Sequence, residues 1–306
     1  MSNATGTFDL QVNGYGGVDF NQDDLAAPAL HQACVKLAAD GVDGILATVI
    51  TESIPQMCTR LANLVTLREK DTLARQLIAG FHIEGPFINE TPGYVGAHPA
   101  DAVRPANVDD MKRLLDAGAG LTKLVTLAPE RDAQYRVTRF LSMTGVAVSA
   151  GHSNASIDEL KGAIDAGLTL YTHLGNGCPM QQHRHDNIIQ RVLALRDRLI
   201  ITFIPDGVHV PFFALKNYLD LIGLDRVVVV TDAVAPAGMG PGRYKLGRWE
   251  LDIGQDMVAR APDGSHLVGS AITMPRVIEN LTTHVGLSLA DARRLTCTNP
   301  KRAAGL

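Results

Sequence analysis

The sequence predicts an α/β fold, a (β/α)8 barrel, and three observations carry that expectation. Eight strand-like apolar runs recur along the 306 residues, with segments of helix length between most of them. The runs are continuously apolar rather than alternating, as strands covered on both faces of a parallel sheet must be. Polar residues gather at the ends of several runs, where a barrel of this kind brings side chains together at one mouth.

The first run, "FDLQV" (8–12), leads into the glycine-rich "NGYGGVDF" (13–20). That stretch lacks GxGxxG spacing and an immediate helix, which disfavours the alternative of a doubly wound dinucleotide-type sheet. A helix is expected over 25–40. "GILATVI" (44–50) and "LIAGFHIEG" (77–85) supply the second and third strands, and a helix over 107–118 stops at Gly118. "LTKLVTLAP" (121–129) and "GVAVSAGH" (145–152) are the fourth and fifth. Ser156 and Glu159 stand at capping-box spacing at the head of a helix over 156–167, with Gly167 at its end. "TLYTHL" (169–174), "LIITFIPDG" (199–207) and "RVVVVTDA" (226–233) complete the eight, with a helix over 212–223 closed by Gly223. Segment 239–272 reads as a short β-rich insertion after the eighth strand. With no low-complexity linker and no repeat, residues 1–306 are expected to form a single barrel domain.

Composition narrows the function classes. The chain is 46% hydrophobic and 20% charged, enough to bury a sizeable core. A formal net charge of −4 argues against nucleic acid or an anionic membrane as partner. The four cysteines show no CxxC spacing, which suits a reducing, cytoplasmic setting. No basic-then-apolar leader opens the chain and no apolar run reaches membrane-spanning length, so secretion and membrane insertion are not expected. In that compartment the Asn-x-Ser/Thr triplets at Asn3, Asn154 and Asn280 carry no glycosylation meaning.

The polar strand ends carry the chemistry. Glu84 ends the third strand, His152 the fifth, His173 the sixth and Asp232 the eighth. Two imidazoles and a carboxylate suit Zn²⁺ or a similar divalent ion and leave a coordination position open. Asp232 would then accept a proton from a water that the ion makes acidic, and return it to a leaving group. Taken singly, each residue has a plainer role: a turn histidine, a salt-bridge partner, an N-cap. Convergence favours the functional reading, because charges at the ends of apolar strands need partners. His82, two residues before Glu84, shares its strand face and is expected to support a ligand from behind.

The segments "DLQVNGYGGVDFN", "HIEGPFIN", "GAHP", "AGHSNAS", "THLGNG", "PDGVHV", "TDAVAPAG", "LVGSAITM" and "NPKRAAGL" together resemble, in order and over nearly the whole chain, the N-acetylglucosamine-6-phosphate deacetylases of the amidohydrolase superfamily. The resemblance implies a TIM barrel of the metal-dependent amidohydrolase type. It also implies deacetylation of N-acetyl-D-glucosamine 6-phosphate to D-glucosamine 6-phosphate and acetate, in amino-sugar breakdown. By the same resemblance Glu84, His152 and His173 hold one divalent metal ion, zinc foremost, with iron, cobalt or manganese as alternatives. Asp232 is implied as general base and acid, and His98 as the group that polarises the amide carbonyl. His209, Asn176 and the Gly177 backbone are implied to bind the sugar phosphate. Arg184 has the family's spacing for a phosphate-binding arginine, although an exposed arginine at a helix start is the plainer reading.

Two departures bear on this. Gln11-Val12-Asn13 stands where many amidohydrolases carry an HxH pair, and amides are poor replacements for imidazoles, so one principal metal is expected rather than a bridged pair. The family's β-sandwich strands flanking the barrel are not found in this sequence, which reads as a bare barrel expected to cover its exposed side as a homodimer. The glycines of "GNGCPM" after His173 remove side chains near the presumed sugar, so a different N-acyl amino sugar, a cyclic amide or a non-catalytic sugar-phosphate barrel are the alternatives. Cys178 in that loop reads as a packed thiol.

Overall fold

The computed structural model describes residues 6–264 and 266–306; the Asn3 triplet lies outside them. Eight parallel strands form one sheet in chain order: β1 (Thr7–Val12), β2 (Val42–Ile50), β3 (Ile78–Glu84), β4 (Thr122–Leu127), β5 (Ala147–Ala150), β6 (Leu170–Tyr171), β7 (Ile200–Phe203) and β8 (Val227–Val229). Every strand neighbours the next in sequence, so no reversal of order exists such as a doubly wound sheet requires. All eight expected strands are present. The sixth shrinks to two residues, Leu170 and Tyr171.

The ring closes between β8 and β1 with few main-chain links. Val12 and Ala233 form an isolated parallel bridge, and the Asn13 and Gly14 amides donate to the Ala233 carbonyl at 2.7 and 3.1 Å. Lower down, the buried Asp9 carboxylate accepts from the Thr231 hydroxyl at 2.5 Å and from its amide at 3.3 Å.

Period-two alternation sorts the side chains of each strand. On β2, Ile45, Ala47 and Val49 pack outward into the large core shared with the helices, while Leu46 joins Phe8, Leu10, Leu124, Leu170 and Val228 inside the barrel. Two residues further along, the interior turns polar: Thr48, His82, Thr126, Ser149 and Thr172 are all buried. His82 Nε2 meets Thr126 Oγ1 at 2.8 Å, Thr126 meets Thr172 at 2.8 Å, and Thr172 meets Ser149 at 2.6 Å. One further step of two on β3 reaches Glu84. The barrel is thus an apolar plug, a hydrogen-bonded polar layer and then the mouth.

The helices form where amphipathic spacing and caps agree. Ala27–Ala39 buries Leu30, Ala33, Cys34 and Leu37 at i, i+3, i+4 and i+7. Ser156 and Glu159 form the expected capping box ahead of Ile157–Asp165, with bonds of 3.2 and 2.7 Å. Ser156→Ala is expected to cost about 1 kcal/mol, measured as a lower urea midpoint at unchanged slope.

The insertion after β8 is the three-stranded antiparallel sheet β9 (Gly242–Leu246), β10 (Trp249–Ile253) and β11 (Ala259–Arg260). It has its own small core of Leu246, Leu251, Ile253 and Val268, which reaches Ile50 at the end of β2 and Val234 after β8. Arg248 at its turn pairs with Glu52 at 2.9 Å and Asp101 at 3.0 Å. The sheet is therefore fixed over the barrel mouth. No described helix is long and apolar enough to cross a membrane, and all four cysteines are unpaired.

Candidate active site

A cavity of about 970 Å³ lies at the C-terminal ends of the strands, roofed in part by the inserted sheet, and Glu84, His98, His152, His173, His209 and Asp232 all line it. His152, His173 and Asp232 leave their strands with φ of +50°, +34° and +49°. Non-glycine residues occupy that left-handed region rarely, at about 1–2 kcal/mol each, and persist there where the surroundings over-determine them. The sharp turn answers why polar residues follow apolar strands here: it aims their side chains into the cavity.

Glu84 is the hub. Its Oε1 lies 3.0 Å from His173 Nε2 and 3.4 Å from His152 Nε2, and its Oε2 lies 4.0 Å from His98 Nε2. Ligand atoms of Glu84, His98 and His152 all fall within 4.8 Å of one another. His152 Nδ1 meets the Tyr94 carbonyl at 2.7 Å, and His98 Nδ1 meets Thr51 Oγ1 at 2.7 Å. Donation of Nδ1–H to a carbonyl fixes the tautomer that leaves Nε2 with a free lone pair, the usual preparation of a metal-binding imidazole. A buried carboxylate ringed by Nε2 atoms is a donor set that fits one divalent cation. Burial alone would raise the Glu84 pKa, but the His152 and His173 rings against its Oε1, with His98 nearby, hold it well below the ordinary carboxylate range. His98 is pushed down to about 3, by burial first and by His152 second.

Asp232 sits beside this cluster. Gln11 Nε2 donates to Glu84 Oε2 at 3.1 Å and to Asp232 Oδ1 at 3.0 Å, and Asn13 Nδ2 donates to the same Oδ1 at 2.7 Å. The Gln-x-Asn pair at the end of β1 therefore tethers the general-base candidate. Among the described residues both side-chain hydrogen bonds to this carboxylate fall on Oδ1, and Asp232 itself lines the cavity. Burial, then the charge of Glu84, raises the Asp232 pKa to about 7.

Asn176, Gly177 and His209 line the same cavity. His209 Nδ1 meets Asp206 Oδ2 at 2.6 Å, while Asp206 Oδ1 accepts the Val208 and His209 amides at 2.9 and 2.8 Å. Gly177, at φ +61°, lies so close to His152 that a Cβ there would come within 2.8 Å of Nδ1, so the glycine seats the imidazole as well as opening the loop. Arg184 is exposed and is not among the cavity's lining residues. His82 hydrogen-bonds within the polar layer, to Thr126 and Thr48, and contacts no site carboxylate or imidazole by hydrogen bond. Burial lowers its pKa to about 4, which keeps it neutral.

Sequence reasoning missed the partners that orient the site: Thr51, the Tyr94 carbonyl and Asp206. Only Asp206 left a legible signal, since an acid three residues before a histidine inside "PDGVHV" is a turn that can hold the ring.

No protein-family model matches the chain. Curated relatives do. N-acetylglucosamine-6-phosphate deacetylases of Homo sapiens and Danio rerio are 30% and 31% identical over 313 and 317 residues, covering 99% of this chain and 74% and 75% of theirs. The structure of a mutant N-acetyl-D-glucosamine-6-phosphate deacetylase from Mycobacterium smegmatis, in complex with N-acetyl-D-glucosamine-6-phosphate, matches with a TM-score of 0.89 at 31% identity. That match covers 98% of this chain and 77% of the other. The N-acetylglucosamine-6-phosphate deacetylase of Thermotoga maritima matches at 0.85 and 26%, over 98% and 78%.

Proposed function

This chain belongs to the N-acetylglucosamine-6-phosphate deacetylase family, and from that premise we propose that it hydrolyses the acetamide of N-acetyl-D-glucosamine 6-phosphate to D-glucosamine 6-phosphate and acetate. The observation that carries the reading is the tethered Asp232 carboxylate, lining the cavity beside three imidazoles and Glu84.

Glu84, His152 and His173 would hold the divalent ion, zinc by donor preference. Both imidazoles present Nε2 to the same oxygen of Glu84, whereas His98 stands farther off, against the other oxygen. When bound, such an ion acidifies water and polarises a carbonyl. Asp232 Oδ2 takes the proton of the attacking water as its oxygen adds to the acetyl carbon. The same carboxyl then gives that proton to the nitrogen as the C–N bond breaks, so that amine and acetate leave. One carboxyl thus serves both halves of that exchange. His98, neutral and held by Thr51, donates toward the acyl oxygen as negative charge grows there. Asn176, the Gly177 backbone and His209 receive the sugar phosphate, with Asp206 setting the His209 ring. Burial opposes ionisation of Asp206, but its bond to His209 holds its pKa below the ordinary value, so a carboxylate there orients the ring. A homodimer in the cytoplasm is the matching cellular form; the four unpaired thiols favour the reducing compartment.

The deciding experiment is acetate release from N-acetyl-D-glucosamine 6-phosphate by folded protein of known metal content. Absence of acetate from the zinc-loaded protein would sink the proposal.

A further inference from the structure

The turn that carries Asp232 is held from both sides by residues far away in the chain. Asp232 leaves β8 at φ +49°, a conformation that an aspartate keeps only where its neighbours impose it. On one side stands Asp9, buried on β1 two residues before Gln11. Its carboxylate accepts the Thr231 hydroxyl at 2.5 Å, the Thr231 amide at 3.3 Å and the Gln11 amide at 3.2 Å. The Thr231 hydroxyl in turn accepts the Ala233 amide at 3.1 Å, which spans the left-handed residue. On the other side stands Ser270, also buried, where the chain returns from the inserted sheet. Its hydroxyl donates to the Thr231 carbonyl, its amide donates to the Asp232 carbonyl at 2.9 Å, and its own carbonyl accepts the Val234 amide at 3.0 Å.

These bonds hold the backbone from which the Asp232 carboxylate projects. The carboxylate itself is met by the Gln11 and Asn13 side chains, and Asp9 holds the main chain of Gln11 as well. One buried acid therefore sets both the turn that carries the carboxylate and the strand that supplies an amide to it. Burying a carboxylate among neutral donors costs more than burying an amide or a hydroxyl, so stability alone is a weak account of an acid between these two strands.

We propose that Asp9 and Ser270 are positioning residues for the acid–base step: gripping Thr231 between them, they fix the left-handed turn at Asp232 and with it the place of the catalytic carboxylate. The catalytic role of that carboxylate rests on the deacetylase reading; the grip itself does not.

The test uses zinc-loaded protein: the parent, Thr231→Val, Thr231→Ser, Asp9→Asn, Ser270→Ala, and Thr231→Val combined with Asp232→Asn. Valine matches threonine in shape and removes the hydroxyl that Asp9 and Ala233 share. Thr231→Val should lower kcat for acetate release about 10- to 100-fold, the size of effect a misplaced catalytic group produces, with KM and zinc content near parental. Thr231→Ser, which keeps the hydroxyl, should recover most of the loss, and Asp9→Asn and Ser270→Ala should lower kcat as Thr231→Val does. In an Asp232→Asn background the Thr231→Val change should cause no further loss, since the group it places is gone. Crystal structures should show the Asp232 carboxylate of Thr231→Val moved off the Gln11 and Asn13 amides. A role confined to folding predicts a lower urea midpoint, a parental kcat per folded molecule and an unmoved carboxylate; that result would overturn the inference, as would a loss that multiplies with that of Asp232→Asn. Should Thr231→Val not fold, Ser270→Ala, alone and with Asp232→Asn, takes its place in each comparison. A parent that releases no acetate would refute the deacetylase reading, and the crystal structures would still decide whether Asp9 and Ser270 place the carboxylate.

Discussion

Replacing Asp232 with Asn is expected to leave the metal content unchanged and to lower kcat on the order of 10²–10⁴-fold, the range a lost general acid–base group accounts for. The substitution keeps shape and tether: the side-chain oxygen of an asparagine can still accept from Gln11 and Asn13, which both meet Oδ1. What disappears is the basic carboxylate oxygen. Elemental analysis and initial rates of acetate release on the same preparation separate the two effects. A variant that loses its metal, or one that turns over at near-parental rates, would refute the assignment.

Glu84→Gln should instead empty the centre. Its carboxylate is buried and is approached by His152, His173 and His98 at 3.4, 3.0 and 4.0 Å, so neutralising it removes the only negative charge among those four side chains. The loss in metal affinity should exceed the roughly 10- to 100-fold that outer partners of a ligand typically account for, and activity should fall with metal content. His173→Ala should behave alike. His98→Ala should keep its metal and lose turnover, because Thr51 holds that ring against the other Glu84 oxygen. If His98→Ala also emptied the site while His173→Ala did not, the ligand set would be Glu84, His98 and His152. Circular dichroism on each variant confirms that a folded protein is being measured.

The strands were readable because burial on both faces leaves little choice but continuous apolar residues, and runs such as 44–50 and 226–233 show it without ambiguity. Glu84, His152, His173 and Asp232 were readable for a related reason: a charged or imidazole group directly after such a run marks an exit from the sheet. The partners were not. Gln11 looks like one more strand residue, and its contact with Asp232 spans 221 positions. Thr51 and the Tyr94 carbonyl act through loop conformations that long-range packing sets, and sequence spacing holds no record of them. Arg184 shows the opposite failure, in that correct spacing from His173 did not bring it to the cavity of its own chain.

The seam between β8 and β1 has a consequence for how the protein comes apart. Seven junctions of the ring are strand pairings of two or more residues, while this one is a buckle of one bridge, two amides on a single carbonyl and an acid latched to a threonine. Thermal opening should start at the weakest clasp, and here Asn13 follows one half of the buckle while Asp232 precedes the other. Unfastening it parts Asn13 from Asp232 before the rest of the ring loosens, so catalytic competence should fade on heating earlier than the helices melt.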